Sequence, residues 1–242
     1  MTNKLFMLSI VIPTYNESEI IEESVKEILK LKNIELIISD GGSTDNTLLK
    51  IKKFKQSCKN VKVIENKIKG RKGFDIENGI KISSSKFCIF VDADLSCGIS
   101  GILKVSKELK NYDLVIGYRV SKKKRTFLRN FLTRSYILLI NFLFKMKIKD
   151  YQCGLKGFRK EKILPILEKI KNKDFFWDTE LIIRSQKSNL KIKEVPVTWI
   201  EKRKSKIKVL RTSLKFLLKL IFTYRHLSSH RTILMKPRTK KS

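Results

Sequence analysis

The chain has 242 residues, with 54 Lys and Arg against 23 Asp and Glu and a formal net charge of +31. A hydrophobic fraction of 42% excludes a chain disordered throughout, and 10 Gly with 4 Pro exclude collagenous and low-complexity classes. The length suits one α/β domain, or one domain with an appendage, and the charge calls for polyanions: nucleic acid, an anionic membrane surface or phosphorylated substrates. Ala93 is the only alanine, while Lys and Ile are abundant. That pattern fits an AT-rich codon bias and assigns part of the lysine excess to the genome. Cys58, Cys88, Cys97 and Cys153 show no C-x-x-C spacing and read as free thiols in a reducing compartment. Met1 to Met7 lacks the apolar run of a signal peptide. No window offers the ~18 uninterrupted apolar residues of a transmembrane helix.

In chain order, Leu8 to Ile12 is a short apolar run stopped by Pro13, a buried strand. Ile21, Val25, Ile28 and Leu29 give residues 18–32 a helical period. A second strand, Leu36 to Ile38, closes on Asp40-Gly41-Gly42, and Ser43 or Thr44 is expected to N-cap a helix from Asp45 to Phe54. Val61 to Ile64 reads as a third strand, Gly73 to Ile82 as a helix, Phe87 to Val91 and Leu114 to Ile116 as two further strands. This βαβαβ rhythm predicts a doubly wound, mainly parallel sheet flanked by helices. Ligands of such sheets bind at the carboxyl ends of the strands, where the strand order reverses. Tyr15-Asn16-Glu17, Asp40 and Asp92 to Asp94 all fall at such ends.

The composition changes after residue 118. From Arg119 to Lys149 there are ten basic residues and no acid, and within that stretch Phe127 to Phe144 is apolar but broken by Arg129, Arg134 and Asn141. This reads as an amphipathic helix lying in a membrane interface, the alternative being a core helix with a basic outer face. Val209 to Leu227 is a second such stretch, and from Glu201 to Ser242 there are 14 Lys or Arg and one acid. The expected division is therefore residues 1–206 as the α/β domain, with 119–149 as an acceptor and interfacial segment, and 207–242 as a basic amphipathic membrane-surface segment.

Asp92-Ala93-Asp94 carries the chemistry. Two carboxylates at i and i+2 beyond a buried strand can share a site when the chain bends there. A hard divalent cation takes carboxylate oxygens together with substrate phosphates, and the small Ala93 lets a ligand approach.

Val11-Ile12-Pro13-Thr14-Tyr15-Asn16-Glu17, Asp40-Gly41-Gly42-Ser43-Thr44-Asp45 and Asp92-Ala93-Asp94, in that order, resemble the family 2 glycosyltransferases of the GT-A fold. The downstream half resembles the dolichyl-phosphate glucose and mannose synthases. Asp150-Tyr151-Gln152-Cys153-Gly154-Leu155-Lys156-Gly157-Phe158-Arg159 looks like their D-x-Q-C-G-F-K-x-F-x segment. Phe176-Trp177-Asp178-Thr179-Glu180-Leu181 looks like their F-D-x-E-L, and Glu194-Val195-Pro196-Val197 with Trp199, Ser205 and Lys206 like their E-V-P-V-x-W…S-K. The resemblance runs from about residue 8 to 206.

It implies a membrane-associated transferase that moves a hexose from UDP-glucose or GDP-mannose to dolichyl or polyprenyl phosphate, inverting and dependent on Mg²⁺ or Mn²⁺. Pro13, Tyr15 and Glu17 would line the nucleotide pocket, Tyr15 against the base and Glu17 near the ribose, and Asp40 would contact the base edge. Asp92, with Ala93, would sit near ribose and metal, Asp94 would coordinate the metal, and Ser96 stands as a weak ligand where the family often has Gln. Arg119, Arg129 and Thr133 would bind the acceptor phosphate. Gln152 would face the sugar, and Arg203 and Lys206 would close over the donor diphosphate. Lys206 comes seven residues after Trp199, which fits the glucose synthases better. One departure touches the base end: the resemblance expects Asp-Asp-Gly-Ser after strand two, and Gly41 stands for the second Asp.

A lipid phosphate is already an anion and needs no general base, whereas a glycan hydroxyl does. The alternative, a family 2 transferase acting on a glycan hydroxyl, would draw on Asp178 or Glu180, whose structural role would be pairing with Lys156 or Arg159. His226 and His230 are the only histidines and lie in the C-terminal stretch, which excludes histidine catalysis in the core. A nucleic-acid-binding protein is the minor alternative, since the aromatics among the basic residues follow an apolar helix rather than stacking positions. The expected location is peripheral, on the cytoplasmic face of a membrane, with no nucleic acid partner.

Overall fold

The computed structural model describes residues 8–69, 71–120, 127–201 and 209–234. Seven strands form one sheet in the order β3-β2-β1-β4-β6-β5-β7. They are β1 (Leu8–Thr14), β2 (Ile34–Asp40), β3 (Val61–Glu65), β4 (Phe87–Val91), β5 (Leu114–Val120), β6 (Leu155–Arg159) and β7 (Ile192–Thr198). The helices are α1 (Ile21–Leu29), α2 (Thr47–Ser57), α3 (Lys72–Ile82), α4 (Gly98–Glu108), α5 (Phe127–Phe144), α6 (Lys160–Leu167), α7 (Trp177–Lys187) and α8 (Val209–Leu234).

The central strands are buried on both faces, which is why they read as unbroken apolar runs rather than alternations. Ile10, Val11 and Ile12 of β1, Leu36, Ile37 and Ile38 of β2, and Ile89 and Phe90 of β4 are wholly buried. β1 does not end at Ile12, as Pro13 suggests. It pairs with β2 as far as Thr14↔Asp40, while its pairing with β4 stops at Val11↔Phe90. Beyond that point β1 and β4 part, and a crevice opens at the reversal of strand order.

Six strands run in one direction and β6 runs against its neighbours β4 and β5. The reversal has a functional consequence. Leu155 at the start of β6 pairs with Val91 at the end of β4, so the loop before β6, Asp150 to Gly154, lies beside Asp92. β6 and β7 were not expected from the sequence. Leu155-Lys156-Gly157-Phe158-Arg159 carries two cations in five residues, and the edge strand β7 holds adjacent charges, Lys193 and Glu194, and a proline, Pro196.

The expected cap at Ser43 or Thr44 also differs. α2 starts at Thr47 without a side-chain cap bond. Ser43 Oγ instead donates to Asp40, and the Asp45 carboxylate accepts from Thr47 N and Thr47 Oγ1.

α5 and α8 belong to a second compact unit, so α5 groups with the C-terminal helix rather than with the sheet domain. Tyr136 meets Phe216 and Phe144 meets Tyr224, with ring centroids 5.7 and 5.6 Å apart. Among the described residues no helix is long and apolar enough to cross a membrane.

Candidate active site

The D-x-D segment is bent into place by its backbone. Asp92 N donates to Gly154 O at 3.0 Å, and Leu95 N closes a turn onto Asp92 O at 2.9 Å. Leu95 has a φ of +48°, a left-handed conformation that costs a non-glycine residue about 1 kcal/mol or more. Its buried side chain anchors the turn. A Cβ on Gly154 would stand 1.8 Å from Asp92 Oδ2, so any side chain there displaces the carboxylate.

Asp92 is paired. Lys72 Nζ, at the first position of α3, lies 2.7 Å from Asp92 Oδ1 and 3.7 Å from Asp178 Oδ2. Burial pushes the Asp92 carboxyl up, and Lys72, with Lys156 and Arg119 behind it, outweighs burial and leaves it below the usual carboxylate range. Burial likewise opposes the charge on Lys72, and Asp92 and Asp178 override it, so the ammonium is held above its ordinary pKa. Beneath these groups Lys156 Nζ, wholly buried, donates to Asp178 Oδ1 at 2.6 Å and to Cys153 O at 2.7 Å. Lys72 and Lys156 both lie 5.3 Å from the Phe90 ring centroid, an arrangement that suits desolvated ammonium groups.

Arg119, near the end of β5, is bound by Asp150. Nε and Nη2 donate to the two carboxylate oxygens at 2.6 and 2.8 Å, and the guanidinium lies 5.7 Å from the Trp199 ring centroid. This bidentate geometry fixes its direction. Asp150 also accepts from Gln152 N, and Gln152 Nε2 donates to Thr179 Oγ1 at 2.9 Å.

At the other side of the crevice the loops after β1 and β2 brace each other. Asn16 N donates to Ser43 Oγ, Thr44 N to Asn16 Oδ1 and Glu17 N to Thr47 Oγ1. Asp40 Oδ1 accepts from Thr14 Oγ1 and Ser43 Oγ, and its Oδ2 from Gly42 N and Ser43 N. Tyr15 is 40% exposed at the mouth, with Pro13 half-buried behind it.

Among the described residues no three His, Cys, Asp or Glu side chains form a ready metal cage. The donors at the strand end are hard oxygens: the Asp92 and Asp94 carboxylates and the buried Ser96 Oγ, which has no hydrogen-bond partner among the described residues. Asp94 Oδ1 accepts from Ser96 N at 3.0 Å, which turns it with that loop. This set suits a hard divalent cation that takes its other ligands from substrate phosphates and water.

Of the residues singled out in the sequence, the fold brings Asp92, Ala93, Asp94, Ser96, Arg119 and Gln152 to one edge of the sheet, and Pro13, Tyr15, Glu17 and Asp40 to the neighbouring loops. Thr133 lies half-buried on α5, in the second unit. The Arg129 side chain, Arg203 and Lys206 lie outside the described residues. Asp178 takes the expected pairing with Lys156; Arg159 turns away to Tyr112 O and Asp113. Glu180 is buried against Arg184 and the Lys171 and Asn172 N–H groups. Lys72 was missed by sequence reasoning. Its signal is a cation directly before Gly73 at a helix start, hidden among the lysines around it. The cysteines are free, and burial pushes Cys153 up to about 12 and Cys88 to about 11, which makes them poor nucleophiles.

A mixed sheet of this order, with paired carboxylates at the switch point, defines the GT-A class of glycosyltransferases. The fold is shared with glucosyl-3-phosphoglycerate synthase from Mycobacterium tuberculosis, solved with Mn²⁺, UDP and glucosyl-3-phosphoglycerate. The TM-score is 0.70 at 16% identity, over 90% of this chain and 80% of that one. The model of the family described as glycosyl transferase family 2 matches residues 9–167, and the chain belongs to that family. Two relatives are named dolichyl-phosphate beta-glucosyltransferase. The one from Saccharomyces cerevisiae is 31% identical over 86% of this chain and 71% of its own length. The one from Dictyostelium discoideum is 30% identical over 83% and 68%.

Proposed function

We propose that this glycosyltransferase moves glucose from a nucleoside diphosphate sugar to a polyprenyl phosphate of the dolichyl type, with inversion at the anomeric carbon. The observation that carries this reading is the 31% identity to a dolichyl-phosphate beta-glucosyltransferase across 86% of the chain. The site is in keeping with it. Asp150 is engaged by Arg119, Asp178 by Lys156 and Glu180 by Arg184. A phosphate acceptor needs none of these as a base, because it is an anion at neutral pH.

In this reading Tyr15 covers the base, Pro13 and Glu17 line the ribose end, and Asp40 holds the turn beneath them. Asp94 and Asp92, with Ser96 as a weaker oxygen donor, hold a Mg²⁺ or Mn²⁺ ion, which when bound neutralises charge on the leaving diphosphate. Ala93 keeps that edge open, and Lys72 adds fixed positive charge beside Asp92. Gln152 faces the sugar, and the family resemblance assigns Arg203 and Lys206, which lie outside the described residues, to the donor diphosphate. Arg119, steadied by Asp150 and Trp199, presents its remaining Nη1 to the acceptor phosphate. The phosphate oxygen forms a bond to the anomeric carbon from the face opposite the leaving group. The bond from that carbon to the donor phosphate breaks, and the electron pair leaves on the nucleoside diphosphate.

The second unit is read as the membrane-surface part. Phe131, Leu138 and Phe142 on α5 and Leu218 and Phe222 on α8 are exposed. Basic residues accompany them, including Arg134, Lys215 and Arg225. Each Lys or Arg near an anionic leaflet contributes ~1 kcal/mol.

The test is a screen of radiolabelled UDP-glucose and GDP-mannose with a polyprenyl phosphate and Mn²⁺ or Mg²⁺. Label partitioning into organic solvent supports lipid-linked product. Label confined to a water-soluble glycan would point to a hydroxyl acceptor instead. Asp94→Asn is expected to abolish transfer without unfolding the protein.

A further inference from the structure

The base end of the crevice holds a buried carboxyl that the mechanism above does not use. Asp75 stands in the first turn of α3 and is 2% exposed. Its Oδ1 accepts from Asn66 Nδ2 at 2.7 Å, and the same nitrogen donates to Ser39 Oγ at 2.9 Å. Asn66 Oδ1 in turn accepts from Asn78 Nδ2 at 2.7 Å. These bonds fix the direction of the carboxyl. Asp75 Oδ2 has no hydrogen-bond partner among the described residues. It lies 2.6 Å from the point where a Cβ on residue 41 would stand.

Gly41 follows Asp40 at the carboxyl end of β2, beside the braced loops at the mouth of the crevice. Asp40 is saturated: four donors from Thr14, Gly42 and Ser43 fill its two oxygens, about the full capacity of a carboxylate. Asp75 Oδ2 is the acidic atom left over. The glycine at 41 and the acid at 75 also belong together. The Asp75 carboxyl occupies the side-chain space of residue 41, where the sequence motif leads one to expect an acid.

We infer that Asp75 is a specificity-determining residue of the donor site, whose Oδ2 reads the amide edge, a ring N–H beside a C=O, of a uracil or guanine base. This inference rests on the nucleotide-sugar reading above. The shared chemistry is that edge. Uracil presents N3–H beside O4 and guanine N1–H beside O6, whereas cytosine and adenine present a ring nitrogen that only accepts. An ionised carboxyl accepts from the first pair and is repelled by the second.

The test is calorimetric binding of UDP, CDP, GDP and ADP to the full chain with Mn²⁺ at pH 8. The wild type should bind UDP over CDP, or GDP over ADP. Asp75→Asn keeps the shape and, with its carbonyl oxygen turned to Asn66 Nδ2, keeps that bond, which places an amide donor where Oδ2 accepted. It should lose the preference by about tenfold or more, the worth of one charge-assisted hydrogen bond. Asp75→Ala combined with Gly41→Asp moves the acid back to residue 41 and should recover it. A preference unchanged in Asp75→Asn overturns the inference and leaves the donor reading standing. A wild type that binds none of the four nucleotides overturns both.

Discussion

Gly154 and Asp92 form the tightest fit of the site: the Gly154 carbonyl accepts the Asp92 N–H at 3.0 Å, and a side chain at 154 would overlap the Asp92 carboxylate. The carboxylate is thereby held between the reversed strand β6 and Lys72. Gly154→Ala is expected to displace it and lower kcat/KM by about 10²-fold, the scale of losing one preorganised electrostatic group. Because the clash falls on a side-chain end rather than on backbone, the melting temperature should move far less than the activity. A variant with wild-type kcat/KM would show that the Asp92 position is immaterial.

The Lys156–Asp178 pair makes a stability prediction. Both side chains are buried, 2.6 Å apart, on β6 and α7. Removing one partner strands the other charge, so Lys156→Met should cost about 3–5 kcal/mol. Replacing both, as Lys156→Met with Asp178→Leu, should recover much of that loss. Urea unfolding of these two variants and of Asp178→Leu alone measures the coupling.

Asp75 predicts a pH dependence of stability with a definite sign. Burial raises its carboxyl from 3.8 to about 7, with Asn66 opposing and the Asp40 charge adding. The unfolded chain releases this proton first. The contribution is therefore fully present below about 4 and is lost as the pH rises through about 7. Asp75→Asn has no such proton, and its unfolding free energy should be flatter than wild type across that window. Equal slopes for the two proteins would mean that Asp75 titrates normally.

Membrane attachment is tested on the exposed rings. Phe142 is 81% exposed on α5 and Phe222 is 59% exposed on α8. Changing both to Asp should release the protein from anionic vesicles in a flotation assay. Its unfolding should shift by no more than about 0.5 kcal/mol per site, as at exposed positions generally. Retention on vesicles would place the lipid contact elsewhere.

Much of this was readable before the structure. β1, β2, β4 and the first half of β5 are apolar runs between turn residues, and the D-x-D pair, Tyr15 and Asp40 fall at strand ends because β–α units leave their polar residues there. Lys72 and Asp75 were not readable. Each looks like a solvated charge on a helix, and nothing in residues 66–78 says that Asp92 lies above one and Gly41 beside the other. Lys156 was the reverse case: its pairing with Asp178 was legible from the motifs, but its complete burial within a strand was not.

The sequence by itself determined the family, the doubly wound and mainly parallel character of the sheet, and the segments that meet at its edge, since these follow from local periodicity and motif spacing. Apart from the Lys156–Asp178 pair, which the motifs already offered, tertiary structure decided which charges neutralise which. Pairings such as Lys72 with Asp92 and Arg119 with Asp150 join residues 20 and 31 positions apart. Burial of a charge is stable only when its partner is delivered in register, and that register is set by the antiparallel insertion of β6 between β4 and β5.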